Sequence, residues 1–410
     1  MKKLLLVLLI LSLFINHLNA NEKDLQIIQK DKKEYRLLEK ESIQTRQQGQ
    51  KYDWISPIDL SGNIGRNHSF SDENSRNLNN KNTKSASIGF TQSIFESGGI
   101  GFKMDYADNR FKYEMLSWEN QNSQLIYTIY NTLLDIKKLK LEINQNDYRI
   151  VNKDIELIIK KIQYEAGKTD IIELNNAIMS KNLILKEEIA LKNSLKEKEQ
   201  ELAKYTDLKY DEIEILDFQE TNKEIFLDKN YSILEADAKV EMLNSEYKIK
   251  KSQYLPKLSL SAKASYSSQD EKFNSMISDT NKDDATSSGS LILSMPLYDY
   301  TKSSKIQESK IEVLKQKALI NDLKNETAFE YEQIFTKIDT YLKQNETINK
   351  NIKLYEELIG ANKISSEAGM TSKYDLEILE NTKTINEFDI LINKINILQQ
   401  YAKLYFKIKN

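Results

Sequence analysis

The sequence contains few of the residues that interrupt helices. Proline occurs 3 times and glycine 11 times among 410 residues, whereas ordinary proteins contain about 5% proline and about 7% glycine. No proline lies between residues 58 and 255, and no glycine lies between residues 168 and 288. Because both residues disfavour the interior of a helix, their scarcity predicts very long helices.

Cysteine and histidine are scarcer still. Cysteine is absent, and histidine occurs only as His17 and His68. These absences exclude disulfides, thiolate metal sites and cysteine nucleophiles, and they leave almost no material for histidine-based catalysis. The sequence also has no Gly-rich phosphate loop and no paired nucleophile and base, so we predict no enzyme, cofactor or metal. Its nearly balanced charge, -3 overall, gives no basic domain for nucleic acid.

The N-terminus has the pattern of an export signal. Lys2 and Lys3 precede the largely apolar stretch Leu4–Ile15, which is too short to span a bilayer as a helix. Ala20 then supplies a small residue for cleavage. We therefore predict a signal peptide at residues 1–20. No later segment is apolar for long enough to predict a transmembrane helix.

The rest of the chain contains one pattern twice, offset by about 200 residues. Ile58-Asp59-Leu60-Ser61 recurs as Leu258-Ser259-Leu260-Ser261, and Glu165-Ala166-Gly167-Lys168-Thr169 recurs as Glu367-Ala368-Gly369-Met370-Thr371. The matches occur in the same order in both copies. The sequence therefore predicts two structural repeats, at residues 21–205 and 229–410, joined by an irregular segment at residues 206–228.

Each repeat is predicted to contain a helix, a β-hairpin, a long helix and a return helix. Pro57, Pro256 and Pro296 mark junctions between strands and helices, because the residue before proline is driven out of the helical conformation. The predicted hairpin, long helix and return helix occupy residues 57–95, 104–166 and 171–205 in the first repeat, and residues 257–297, 303–368 and 373–410 in the second.

The two long helices are predicted to end in tight turns. Gly167 and Gly369 suit the left-handed position that follows a helix. The return helices then begin with the capping-box patterns Asp170-x-x-Glu173 and Ser372-x-x-Asp375. Apolar residues at three- and four-residue spacing in the second long helix favour coiled-coil packing.

The predicted strands alternate apolar and polar residues and are short, as in membrane-spanning strands. Four such strands cannot close a sheet in lipid, where every backbone group must be paired, and closure needs about eight strands or more. Copies of the chain would have to share one barrel, and two, three or four copies would give 8, 12 or 16 strands. Two copies are disfavoured, because a barrel that continues into long helices needs a lumen wide enough to be useful.

The sequence resembles the TolC-like outer-membrane efflux protein family. The resemblance rests on residues 254–260 entering a strand, residues 295–299 leaving one, and Gly167 and Gly369, each followed six positions later by an acidic residue. The stretch from Asp228 to Ala262 also resembles the family's mid-chain helix. The resemblance covers essentially the whole exported chain.

The resemblance implies a mainly α chain with a small β part, assembled as a homotrimer. Its trimeric α-helical barrel would join a 12-stranded β-barrel in the outer membrane of a Gram-negative bacterium, with four strands from each chain and a long periplasmic portion. The implied function is a passive exit duct of a tripartite efflux or type I secretion system, with a periplasmic adaptor and an inner-membrane pump as partners.

The resemblance also implies roles for the residues at the helical turns. Glu173, Asp375, Thr169 and Thr371 would line the periplasmic aperture, where carboxylates favour cations. Adaptor contacts would lie at Ala166, Gly167 and Lys168 in the first turn and at Ala368, Gly369 and Met370 in the second. Glu173 and Asp375 could instead serve only as helix caps. Ser366 and Thr371 stand where some members lock the aperture with a Tyr and an Arg.

Two other functions are open at this stage. A periplasmic adaptor also contains long helical hairpins, but adaptors usually add compact β-rich domains with many glycines and prolines. A trimeric coiled-coil surface protein would need neither the duplicated amphipathic hairpins nor the equally spaced Ala-Gly turns. Both observations favour the exit duct.

Overall fold

A computed structural model describes residues 25–69, 79–216, 218, 220–270, 282–367 and 372–409. The signal peptide predicted at residues 1–20 lies outside these residues, as do Ala368, Gly369, Met370 and Thr371 of the second helical turn. The described chain is mainly helical with one small antiparallel sheet of four strands, which confirms this part of the predicted fold class.

The elements follow one another in the order helix, two strands, long helix and return helix, twice over. A short 3-10 turn at Leu25–Ile27 comes first. The remaining elements are α1 (Lys30–Tyr52), β1 (Asp59–Ser69), β2 (Asn79–Phe95), α2 (Gly99–Glu165), α3 (Ile171–Ala203), α4 (Lys223–Asp228), α5 (Tyr231–Ser252), β3 (Lys257–Asp270), β4 (Lys282–Ser294), α6 (Lys302–Glu367) and α7 (Lys373–Tyr405).

The structure differs from the sequence prediction at the start of the first long helix. Helix α2 begins at Gly99 and not near residue 104. Ser97 and Gly98 both have positive φ, 51° and 89°, and turn the chain out of strand β2. The backbone N–H of Gly99 then donates to the Glu96 carbonyl at 2.9 Å. Because glycine lowers helix propensity, the sequence pattern did not predict this first turn as helical.

A second difference lies in the segment predicted to be irregular, residues 206–228. Its end forms the six-residue helix α4, which Asn222 caps by accepting a hydrogen bond from the backbone N–H of Ile225 at 2.8 Å. Phe226 of this helix is fully buried. Burial of one aromatic ring, together with a side-chain cap, thus stabilises a helix too short to show periodicity.

The sheet has the strand order β1-β2-β3-β4, and every neighbouring pair is antiparallel. Asp59 pairs with Gly89, Gly89 with Lys263, and Lys263 with Ser288, so these four residues form one row across the sheet. Each outer strand, β1 and β4, has a single neighbour among the described strands. The sheet therefore has two open edges.

The chain divides into two compact units, and the sheet belongs to the unit formed by Glu41–Met115 and Ala236–Ile320. The helical parts of this unit join through polar contacts. Arg46 and Arg110 both donate to Oε1 of Glu114 at 2.8 Å, and Asn109 donates to Ser245 Oγ at 3.0 Å.

The other unit is formed by Met1–Lys40, Leu116–Glu235 and Asn321–Asn410. Its core contains Phe226, Ile334, Ile338, Leu404 and Ile408. A neighbouring aromatic cluster has Phe406 stacked on Tyr130 at 5.5 Å between ring centroids and in an edge-to-face contact with Phe218 at 5.7 Å. Burial of these large side chains is the main stabilising term available to the unit.

Buried polar side chains join the long helices of this unit. Gln145 of α2 donates from Nε2 to Asp389 Oδ1 of α7 at 2.7 Å. Asn152 of α2 accepts from Asn381 at 2.9 Å, and Asn393 of α7 donates to Asn345 of α6 at 2.8 Å. Since a slip along the helix would leave these groups buried without partners, they specify the helix register.

Helix α2 ends in a Schellman motif. Gly167 has a φ of +69°, its N–H donates to the Tyr164 carbonyl at 2.9 Å, and the Lys168 N–H donates to the Gln163 carbonyl at 2.8 Å. These two bonds satisfy carbonyls that a helix end leaves unpaired.

None of the helices in the described ranges combines the length and the apolar character that a helical membrane span requires.

We predict that Glu330 makes the stability of its unit depend on pH. Its carboxylate accepts from Lys403 at 2.8 Å and from Lys407 at 2.5 Å. Burial opposes ionisation, but the two lysines outweigh it and hold the pKa of Glu330 below its ordinary value. A lowered pKa in the folded state stabilises the fold above the pKa of the unfolded state, and this contribution is lost as pH falls through the lowered pKa.

The substitution Glu330→Gln should therefore lower the free energy of unfolding at pH 7 by about 1–3 kcal/mol. The difference from wild type should shrink between pH 7 and about pH 3, measured by thermal unfolding at each pH. Glu332→Gln is the matched control, because Glu332 is exposed and pairs with Lys223 on the surface, where ion pairs contribute little. Equal effects of the two substitutions at all pH values would contradict the prediction.

We predict opposite effects of alanine at two exposed glycines. Gly167→Ala should destabilise the helical turn by about 1 kcal/mol, because its φ of +69° disfavours any Cβ. Gly360→Ala in α6 should stabilise by up to about 1 kcal/mol, since a Cβ there meets nothing within 4 Å and alanine favours helix. Unfolding midpoints of the two variants test the prediction, and a shift in the same direction for both would refute it.

Candidate functional site

The four-stranded sheet has one apolar face, as the period-two alternation of its sequence predicts. Leu60 pairs with Ile88 and Leu260 pairs with Leu291, so the apolar side chains of neighbouring strands lie side by side. The described residues of this face include Leu60, Ile64, Ala86, Ile88, Phe90, Leu258, Leu260, Ala262, Ala264, Tyr266, Ala285, Leu291 and Leu293. Leu60 is 79% exposed and Leu293 is 73% exposed. A large apolar surface left open on a chain marks a contact with lipid or protein.

The opposite face of the sheet carries mainly hydroxyl groups. Their oxygens meet across the strands: Ser61 and Ser87 at 2.8 Å, Thr91 and Ser261 at 3.1 Å, and Ser265 and Thr286 at 2.8 Å. Ile292 is an apolar exception on this face. The sheet thus has an apolar face on one side and a polar, hydroxyl-lined face on the other.

The three prolines predicted to mark junctions lie beside the strands. Pro57 precedes β1 by two residues, Pro256 directly precedes β3, and Pro296 follows β4 by two residues. Gln92 fixes the first junction, because its side chain accepts from the Ser56 N–H and donates to the Trp54 carbonyl, both at 2.9 Å.

Two acidic residues that the sequence analysis gave no role also hold these junctions. Glu96 pairs with Lys103 at 2.8 Å. Asp299, its counterpart in the second repeat, accepts from the Thr301 N–H at 2.8 Å and from the Tyr254 hydroxyl at 3.1 Å. Their recurrence one repeat apart was the signal that could have found them.

The first helical turn places its predicted contact residues at the surface. Ala166, Gly167 and Lys168 are exposed, and Thr169 is half-buried. Gly167 has the left-handed conformation expected of it. No comparison with known proteins tests whether these residues contact an adaptor, and that role stays a prediction.

The capping box predicted at Asp170 and Glu173 forms only in part. Asp170 Oδ1 accepts from the Glu173 backbone N–H at 2.9 Å, whereas the Glu173 carboxylate forms an ion pair with Lys160 at 3.0 Å. Lys160 lies on the preceding helix α2, so the Glu173 charge ties the return helix to the long helix. This partner was not evident in the sequence.

The second return helix begins with the complete capping box. Ser372 accepts from the Tyr374 N–H at 3.2 Å, and Asp375 Oδ2 accepts from the Ser372 N–H at 3.3 Å. Asp375 is exposed, so a cap role leaves its charge in contact with solvent. No hydrogen bond or ion pair joins Asp375 to Glu173 in the described part of the chain.

The described ranges contain no group of three or more acidic or histidine side chains that could hold a metal ion. The conspicuous features of the described residues are instead a two-faced sheet with open edges and the exposed helical turn at Ala166, Gly167 and Lys168.

Residues 224–403 match the family model described as "Outer membrane efflux protein". The matched segment contains strands β3 and β4 and the helices on both sides of them. No curated protein matches the sequence of the chain.

Solved outer membrane proteins share the fold of nearly the whole chain at low sequence identity. The Campylobacter jejuni CmeC outer membrane channel matches with a TM-score of 0.70 and 13% identity over 93% of this chain and 86% of its own. The Vibrio cholerae outer membrane protein VceC gives 0.70 and 14% over 93% and 94%. The open state of the Neisseria gonorrhoeae MtrE outer membrane channel gives 0.68 and 12% over 94% and 88%.

The segment that the family model matches contains the motifs at residues 254–260 and 295–299 and the second Ala-Gly pair at residues 368–369. The resemblance of this chain to the TolC-like outer membrane efflux protein family is therefore confirmed, with residues 224–403 as the segment that the family model matches.

Proposed function

We propose that the chain is the outer-membrane exit duct of a tripartite efflux or type I secretion system, working as a homotrimer. The observation that carries this proposal is the four-stranded sheet, which has an exposed apolar face, a hydroxyl-lined face and two open edges. The family match and the fold shared with solved outer membrane channels support it.

The open edges favour a sheet shared between copies of the chain. In hydrocarbon an unpaired backbone N–H or C=O costs several kcal/mol, so strands β1 and β4 need partners there. Because β1 and β4 are antiparallel within the chain, β4 of one copy can extend antiparallel pairing to β1 of the next. Three copies would close a 12-stranded barrel with the apolar face toward lipid and the hydroxyl face toward the lumen.

The long helices would then continue the conduit into the periplasm. Their buried polar contacts, such as Gln145 with Asp389, suit helices that pack beside a wet interior. The exposed first turn at Ala166, Gly167 and Lys168 is a candidate surface for a periplasmic adaptor, which would link the duct to an inner-membrane pump. Glu173 and Asp375, with Thr169 and Thr371, would border the aperture at this end.

We predict that single cysteines on the two edge strands will crosslink copies of the chain. The chain contains no cysteine, so Ser61→Cys on β1 can be combined in turn with Thr286→Cys, Ser288→Cys and Ser290→Cys on β4. At least one combination should give covalent dimers and trimers under oxidising conditions in detergent, resolved on a denaturing gel.

The control combines Ser61→Cys with Leu291→Cys, which lies on the opposite face of β4 and should crosslink poorly. A monodisperse monomer in detergent, with no crosslink from any combination, would overturn the shared sheet.

We predict that Glu173→Gln with Asp375→Asn will reduce cation preference severalfold in planar bilayers. Rings of carboxylates favour cations, and the amides remove the charge while keeping side chains that can accept a hydrogen bond. Reversal potentials in a salt gradient measure the effect. Ser372→Ala is the control, because it removes a helix cap but no charge, so it should lower stability by about 1 kcal/mol without changing selectivity. Unchanged selectivity in the double variant would assign both acids to structural roles alone.

A further inference from the structure

One row of the hydroxyl face carries two opposite charges. The row consists of Asp59, Gly89, Lys263 and Ser288, which are register partners across the four strands. Asp59 and Lys263 are both exposed. Since neighbouring strands lie about 4.8 Å apart, the two charged residues are separated by about 10 Å, with only the glycine between them.

The hydroxyls around this row are already engaged with one another. Ser61 and Ser87 meet at 2.8 Å, and Thr91 and Ser261 meet at 3.1 Å. The hydrogen-bonding capacity of these hydroxyl groups is therefore partly used within the sheet. The carboxylate of Asp59 and the ammonium of Lys263 are the groups at this level that can attract a charged solute.

Gly89 keeps the space between the two charges open. A Cβ at this position would lie 3.0 Å from the Ala262 carbonyl oxygen and 3.3 Å from the Lys263 Cα, closer than ordinary packing distances. Above the glycine the sheet has a shallow depression of about 450 Å³. Its lining includes Asp59, Lys263 and the hydroxyl residues Ser61, Ser87, Thr91 and Ser261.

The row itself holds one charge of each sign, Asp59 on β1 and Lys263 on β3. A ring of one sign would select ions by charge, whereas a row that holds both signs at one level attracts anions and cations at different points of the same wall.

We propose that Asp59 and Lys263 form a zwitterionic contact row, where solutes carrying both an ammonium and an acidic group are held transiently and solutes of either single sign pass without preference. The proposal rests on the proposed function, because the row becomes a lumen wall only in the shared barrel. Each copy repeats the row, so the ring is neutral whatever the number of copies.

A thiol placed beside the row measures the local potential directly. Ser87→Cys would be the only thiol of the chain, one position along the hydroxyl face from Gly89. The rate at which this cysteine is modified is measured with two methanethiosulfonate reagents added from the outer side. One is the cationic trimethylammonium-ethyl reagent and the other is the anionic sulfonatoethyl reagent. The ratio of the two rates, divided by the ratio for free cysteine, should be near one.

Neutralising one charge should move this ratio in a defined direction. At low ionic strength a unit charge about 10 Å away changes each rate by about twofold, in opposite senses for the two reagents. Asp59→Asn should therefore lower the cation-to-anion ratio about fourfold, Lys263→Gln should raise it about fourfold, and the double variant should restore it. Lys263→Glu should raise it further.

Ile88→Cys is the matched control, because it adjoins Ser87 but lies on the apolar face, where neither charged reagent should modify the thiol. An unchanged ratio at Ser87→Cys in every background would overturn the row. The failure of the shared barrel can be told apart from the failure of the row. If the barrel is wrong, the protein gives monomers without edge crosslinks. If only the row is wrong, the trimers still crosslink but the ratio of rates does not respond to the substitutions.

Discussion

Backbone hydrogen bonding at the edges of one four-stranded sheet is the constraint on which the rest of the molecule depends. Strands β1 and β4 each leave a row of N–H and C=O groups without partners in the described chain. Exposed edges are a liability even in water, and in lipid they are untenable. The sheet also leaves its apolar face open. In lipid such a sheet would need partners at both edges, and this need is the physical basis of the proposed assembly.

The helical unit solves a different problem with different interactions. Its aromatic core around Phe226 and Phe406 is local. The long helices away from it are held by the buried amides of Gln145 and Asn393 and by the half-buried carboxylate of Asp389. Polar contacts of this kind add little net stability, but they penalise the wrong register strongly. Long helices with narrow apolar seams need that specificity more than they need further stability.

Patterns with a fixed period made most of the fold predictable. Alternation placed Leu60 and Ile88 on one face of the sheet, and the Ala-Gly sequence placed the left-handed turn at Gly167. Interactions between distant residues were not predictable. Helix α4 depends on where Phe226 is buried, and Glu173 pairs with Lys160 across the turn instead of completing its capping box. In the proposed assembly the site would be only partly contained in one chain, and its remaining geometry would belong to contacts between copies.

The paired hydroxyls of the sheet have a consequence for transport. A serine that shares its hydrogen bond with the serine opposite, as Ser61 does with Ser87, has less capacity left to grip water or a passing solute. The hydroxyl face is therefore polar but binds solutes only weakly. In a conduit, a hydrated cargo would move past it with little retardation.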